Sequence, residues 1–156
     1  MTSTDDTPVP DYPDELRLDG RRFVVLGAGQ GIGRQSVHAL ASVGARVACV
    51  DVEASRAREV ADEVGGVAVV GDATRRADAV KLFDDATAAL GGLDGVVDII
   101  GMARYASLLD VEDGDWDWQF DIVLRHVYLA VQLAGRRLAA DSGGVLAFVA
   151  SVSGLT

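Results

Sequence analysis

The stretch Arg22-Phe23-Val24-Val25-Leu26-Gly27-Ala28-Gly29-Gln30-Gly31-Ile32-Gly33 decides the fold. Five residues of near-continuous apolar character end in a cluster of four glycines. The chain then runs on into Ile32 to Val43, where Val37, Leu40, Ala41 and Val43 recur at helical spacing. Strand, glycine turn and helix in that order place a turn without side chains at a helix N-terminus. Backbone N–H groups and the helix dipole there favour an anion such as a pyrophosphate. A glycine-rich connection with no ligand has the same composition, and it is the strand and helix context that favours nucleotide binding. The spacing does not fit G-x-G-x-x-G, because Ile32 and Arg34 stand where a third glycine would be needed. It fits G-x-x-x-G-x-G, through Gly27, Gly31 and Gly33.

Outward from this stretch the alternation repeats. Arg46-Val47-Ala48-Cys49-Val50 ends at Asp51 and precedes a charged helix from about Glu53 to Val64. Val67 to Val70 ends at Gly71-Asp72 and precedes a helix from about Arg75 to Leu90. Gly95 to Ile100 forms a fourth strand, ending at Gly101. A loop containing Tyr105 and Leu108 leads to a long helix over roughly 116–139, and Val145 to Ala150 forms a fifth strand. Continuously apolar strands between helices predict a parallel sheet covered on both faces. Right-handed crossovers then give an α/β, doubly wound Rossmann-type sheet in the order 3-2-1-4-5. Thr156 follows the fifth strand closely, so the expected sheet lacks C-terminal strands and helices and leaves an apolar edge. All three prolines fall in the first 13 residues, and Met1 to about Asp14 reads as a flexible tail before a domain over 15–156.

Composition narrows the partners. The 156 residues are 49% hydrophobic and carry 24 acidic against 14 basic side chains, a formal charge of -10. Such a chain has the material for one core and repels phosphate backbones and anionic lipid, so no nucleic acid or membrane partner is expected. One cysteine, Cys49, permits no disulfide framework and no thiolate metal site. An acidic N-terminus and the absence of an apolar run of about 18 residues argue for a cytoplasmic protein. His38 and His126 have no neighbouring ligands in sequence, so no metal is expected. His126 reads as a packing or interface residue.

Asp51 closes the second strand where an acid can accept hydrogen bonds from a ribose diol and repel a 2'-phosphate, which points to NAD over NADP. Asp72 either contacts the adenine amino group or caps the helix that begins near Arg75. Asp98 stands in a buried strand and requires a hydrogen-bonding partner on a neighbouring element, or a raised pKa. Ser151 lies beyond the fifth strand, where serine serves equally as a turn residue or as a donor to a reacting oxygen.

These residues together resemble the short-chain dehydrogenase/reductase family, from about Leu18 to Thr156. The family's T-G-x-x-x-G-I-G matches Gly27 to Gly33 with Leu26 in place of threonine, and its acid after the second strand matches Asp51. Its Asp-Val matches Asp72-Ala73. Its N-N-A-G aligns with Asp98-Ile99-Ile100-Gly101, where only the glycine is kept. Its F-D-x-N aligns with Phe120 to Val123, so Val123 replaces the tetrad asparagine, and I-S-S-x-x-G places the catalytic serine at Ser151. The resemblance implies a hydride transfer between NAD and an alcohol or ketone. It places Gly27, Gln30, Gly31, Ile32, Gly33, Asp51, Asp72, Ala73, Ile99 and Gly101 along the cofactor. The family's tyrosine and lysine, four positions apart, do not occur in these 156 residues: Leu16, Leu109 and Gln132 stand four places after Tyr12, Tyr105 and Tyr128. A non-catalytic nucleotide-binding module accounts for the same departures. The long helix is apolar over most of its circumference, and in the resembled family this helix pairs with its counterpart, implying a homodimer or homotetramer.

Overall fold

A computed structural model describes residues 8–152 of the chain. Five strands, β1 (Arg22–Leu26), β2 (Arg46–Asp51), β3 (Val67–Val70), β4 (Gly95–Asp98) and β5 (Val145–Phe148), form one sheet in the order β3-β2-β1-β4-β5. Every pairing is parallel. The connecting helices are α2 (Gly31–Ser42), α3 (Ala54–Val64) and α4 (Arg76–Leu90). A long segment follows, made of α5 (Asp113–Phe120), a π-helical turn (Asp121–Arg125) and α6 (His126–Ala140). A single helical turn, α1 (Tyr12–Glu15), closes on the carbonyl of Asp11, so the end of the expected tail is helical. Its first seven residues lie outside the described residues.

The apolar strands are continuous because each feeds two cores. Val24, Leu26, Ala48, Val50 and Val96 point to the side covered by α4 and α6, among Leu82, Phe83, Leu129 and Leu133. Val25, Val47 and Cys49 alternate to the other side, among Val37, Val60 and Ala61 of α2 and α3. Each fully buried valine or leucine contributes roughly 1.5–3 kcal/mol relative to an exposed one. Burial pushes the Cys49 thiol up to about 12.

Two clamps fix the outer geometry. At the N-terminal edge, Asp94 Oδ2 accepts from the Arg22 backbone N–H at 2.8 Å and from Arg22 Nε at 2.7 Å, and the Arg22 guanidinium also donates to the Gly91 carbonyl at 2.7 Å. These bonds hold the Asp94 carboxyl well below its ordinary range, at about 2. Between α2 and α3, Glu63 accepts a forked pair of bonds from Arg34 and one from His38, which together hold it at about 2.

Element boundaries differ modestly from those read in the sequence. β4 stops at Asp98 rather than Ile100, because the Ile100 N–H turns away to the Asp98 side chain. β5 stops at Phe148, although Val149 N–H still donates to the Asp98 carbonyl. The long helix begins three residues earlier than expected, where Asp113 and Asp115 favour the positive end of the dipole.

Candidate dinucleotide site

Between β1 and β4 the strand order reverses, and the C-terminal ends of those strands part around a cavity of about 370 Å³. The glycine turn forms its rim. Gly27 adopts φ +77°, and the N–H groups of Gly27 and Ala28 both donate to the Val50 carbonyl at 2.9 Å, folding the turn over the end of β2. Gln30 provides no side-chain cap to α2, and the first turn of that helix carries no acid. Its leading N–H groups therefore lack intrahelical acceptors and face no negative neighbour within the turn.

Asp51 is buried and held on both oxygens. Gly29 N–H donates to Oδ2 at 2.9 Å and Glu53 N–H to Oδ1 at 3.0 Å. A methyl group at Gly29 would sit 2.5 Å from Asp51 Oδ2, so the turn and the carboxylate touch only because residue 29 is glycine. Each oxygen keeps lone-pair capacity for a further donor. Asp72 is arranged similarly. Its Oδ1 accepts from the Thr74 N–H at 2.9 Å and from Thr74 Oγ1 at 2.6 Å. Asp72 does not cap α4, whose N-cap position is Arg75 without a side-chain bond.

Of the residues expected along a cofactor, Gly27, Gln30, Gly31, Ile32, Asp51, Asp72, Ala73, Ile99 and Gly101 line this one cavity. Gly33 does not. It is buried behind the turn, where a methyl group would lie 1.9 Å from the Gly27 carbonyl oxygen, so its place is in helix-to-turn packing. Ser151 is exposed, just past β5, and is not among the cavity-lining residues. Arg56, Thr74, Met102 and Ile122 also line the cavity, and sequence reasoning missed them. Arg56 had a signal, since it lies in the first turn of the helix after Asp51. Asp72-x-Thr74 is likewise legible as a turn motif. Ile122 had none, because it comes from the remote π-helical turn.

His126 is buried rather than placed at an interface, with Nδ1 2.7 Å from Asp98 Oδ2. That contact supplies the partner Asp98 required. Among the described residues, no group of three or more His, Cys, Asp or Glu is placed to hold a metal ion, and no helix is long and apolar enough to cross a membrane.

A parallel sheet in this order, with a glycine turn at its switch point, defines a Rossmann-type α/β protein. The chain belongs to the short-chain dehydrogenase/reductase family: the family model described as short chain dehydrogenase matches residues 21–156. Among curated proteins, it is 38% identical over 142 residues to a D-threitol dehydrogenase of Mycolicibacterium smegmatis, covering 88% of this chain and 55% of that protein. It is 31% identical over 147 residues to a galactitol 2-dehydrogenase (L-tagatose-forming) of Cereibacter sphaeroides, covering 92% and 58%. A solved 7 alpha-hydroxysteroid dehydrogenase, complexed with NADH and 7-oxo glycochenodeoxycholic acid, superimposes with a TM-score of 0.86 at 29% identity, covering 92% of this chain and 58% of that one. The chain thus spans about half the length of the curated relatives it matches.

Proposed function

We propose that this chain is the cofactor-binding part of an NAD-dependent short-chain oxidoreductase that moves a hydride between nicotinamide and an alcohol or ketone carbon. The observation that carries this reading is the Asp51 carboxylate, fixed by two backbone N–H donors at one end of the cavity. A carboxylate so held accepts hydrogen bonds from a ribose diol and repels a 2'-phosphate. The leading N–H groups of α2, from Gly31 onward, face the pyrophosphate, while those of Gly27, Ala28 and Gly29 are spent on Val50 and Asp51. The Asp72 carboxylate, with Oδ1 engaged by Thr74, has Oδ2 for the adenine amino group. Ile99, Gly101 and Ile122 form the apolar floor toward the reacting end. When bound, the nicotinamide supplies the hydride acceptor or donor.

In this reading Ser151 holds the substrate oxygen. Two of the relatives are named as polyol dehydrogenases, which supports a secondary alcohol of a polyol or a comparable small alcohol as substrate. Homo-oligomerisation through the exposed apolar side of 116–139 and a cytoplasmic setting complete the reading.

The test is calorimetric titration of the full-length polypeptide with NAD⁺ and NADP⁺. NAD⁺ is expected to bind at least about tenfold more tightly, and Asp51→Asn to narrow that ratio by relieving repulsion of the 2'-phosphate. Equal affinity for the two would overturn the role of Asp51. Val123, which cannot hydrogen-bond, favours a second reading as a non-catalytic nucleotide-binding module. Tight NAD⁺ binding without turnover of any secondary alcohol or ketone would select that reading.

A further inference from the structure

A buried carboxylate–imidazole pair lies beneath the cavity, and its contacts run into the cavity wall. Asp98 and His126 have side-chain exposures of 0% and 3%, so neither contact is diluted by solvent. The Asp98 carboxylate divides its two oxygens between different elements. Oδ2 meets His126 Nδ1 on α6 at 2.7 Å, and Oδ1 accepts the backbone N–H of Ile100 at 3.1 Å. Ile100 in turn abuts the glycine turn, where a methyl group at Gly27 would lie 3.2 Å from Ile100 Cγ1. A line of three contacts therefore joins the first residue of α6 to the rim that faces a pyrophosphate.

Its position along the chain adds to this. His126 directly follows the π-helical turn, and Ile122 within that turn lines the same cavity. Single π-helical turns are rare and concentrate at functional sites. Val123 in the same turn has no hydrogen-bonding side chain, and His126 lies one helical turn beyond it. The Asp98 carboxylate gives Nδ1 a partner at hydrogen-bonding distance on β4. Nε2 is buried and has no hydrogen-bond partner among the described residues, so the bond through Nδ1 is the polar contact that ties the ring to β4.

We propose that His126 is a positioning residue for the dinucleotide cavity: through Asp98 it holds segment 99–101 against the glycine turn. The consequence for the cofactor rests on the dinucleotide reading above, whereas the hold on the segment does not.

The experiment separates these two parts. In the full-length polypeptide, backbone hydrogen exchange at Ile100 and the affinity for NAD⁺ are measured for the parent, His126→Leu, His126→Asn and Asp98→Asn. Replacing the imidazole by leucine removes a charge-assisted bond to Asp98, so Ile100 is expected to exchange on the order of tenfold faster, with a comparable loss of NAD⁺ affinity. His126→Asn keeps an N–H donor near the position of Nδ1 and restores most of both. In an Asp98→Asn background His126→Leu costs less than it does alone, because the charge that strengthens the shared bond has already been removed. Unchanged exchange at Ile100 in His126→Leu would overturn the proposal. So would an equal defect in the leucine and asparagine variants, which would reduce His126 to packing. Faster exchange with undiminished NAD⁺ affinity would overturn the cavity part alone. Should the parent bind no NAD⁺, the dinucleotide reading falls and the exchange data still decide whether His126 holds the segment. Asp98→Asn and His126→Asn are mild enough to keep the comparison open if the leucine variant fails to fold.

Discussion

Gly33 leaves no space for a side chain, because the first turn of α2 is pressed against the Gly27 carbonyl. An alanine at this position must push that carbonyl and the rim of the cavity with it. Overpacking of a site walled by backbone costs typically about 1–3 kcal/mol. Gly33→Ala is therefore expected to lower the melting temperature measurably and to weaken NAD⁺ binding by on the order of 100-fold, as read by calorimetry. At this scale the sequence was informative wherever chemistry follows from residue type at a strand end. Asp51 closes β2, Asp72 follows β3, both line the cavity, and the glycines mark the turn. Arg56 and Ile122 were not legible, since their approach to the cavity depends on helix placement rather than on local pattern. The partner of Asp98 was legible only as a requirement. The burial penalty demanded one, and only packing of α6 on β4 identified His126.

At the level of elements, the strands owe their register to few polar contacts, of which Asp94 is the most engaged. It receives the Arg22 backbone and guanidinium, and its own N–H and C=O continue the pairing toward β1 and β5. Asp94→Asn is expected to cost about 2–3 kcal/mol in urea unfolding at neutral pH. The sign with pH follows from the depressed carboxyl, at about 2 in the fold. Its ordinary value is about 3.9, so the stabilisation is fully present above about pH 4 and fades as pH falls toward 2. The gap between parent and variant should close over that interval, and a gap that persisted at pH 2 would contradict the assignment. All the strands and the principal helices followed from apolar runs and helical spacing. The π-helical turn did not, because a widened turn leaves the 3.6-residue pattern nearly intact over five residues.

Across the whole molecule, the long helical segment is two-sided. His126, Leu129, Ala130, Leu133 and Leu138 are buried against the sheet, while Trp116, Phe120, Leu124, Tyr128 and Val131 are about half exposed and run as one stripe over three helical pieces. A second face this apolar is the surface on which homo-oligomerisation is proposed. Leu124→Glu is expected to shift the sedimenting mass of the full-length protein toward that of a single protomer. The melting temperature of the variant should then no longer rise with protein concentration as that of the parent does. A parent that already sediments as one protomer would remove this assembly from the reading. The Cys49 thiol is shut inside an interior strand and is protonated far above neutral pH. An alkylating reagent needs both access and a thiolate, so it meets neither while β2 stays in the sheet. The lone cysteine is thus a built-in tally counter for sheet opening, each modified molecule recording one excursion in which the strand came free.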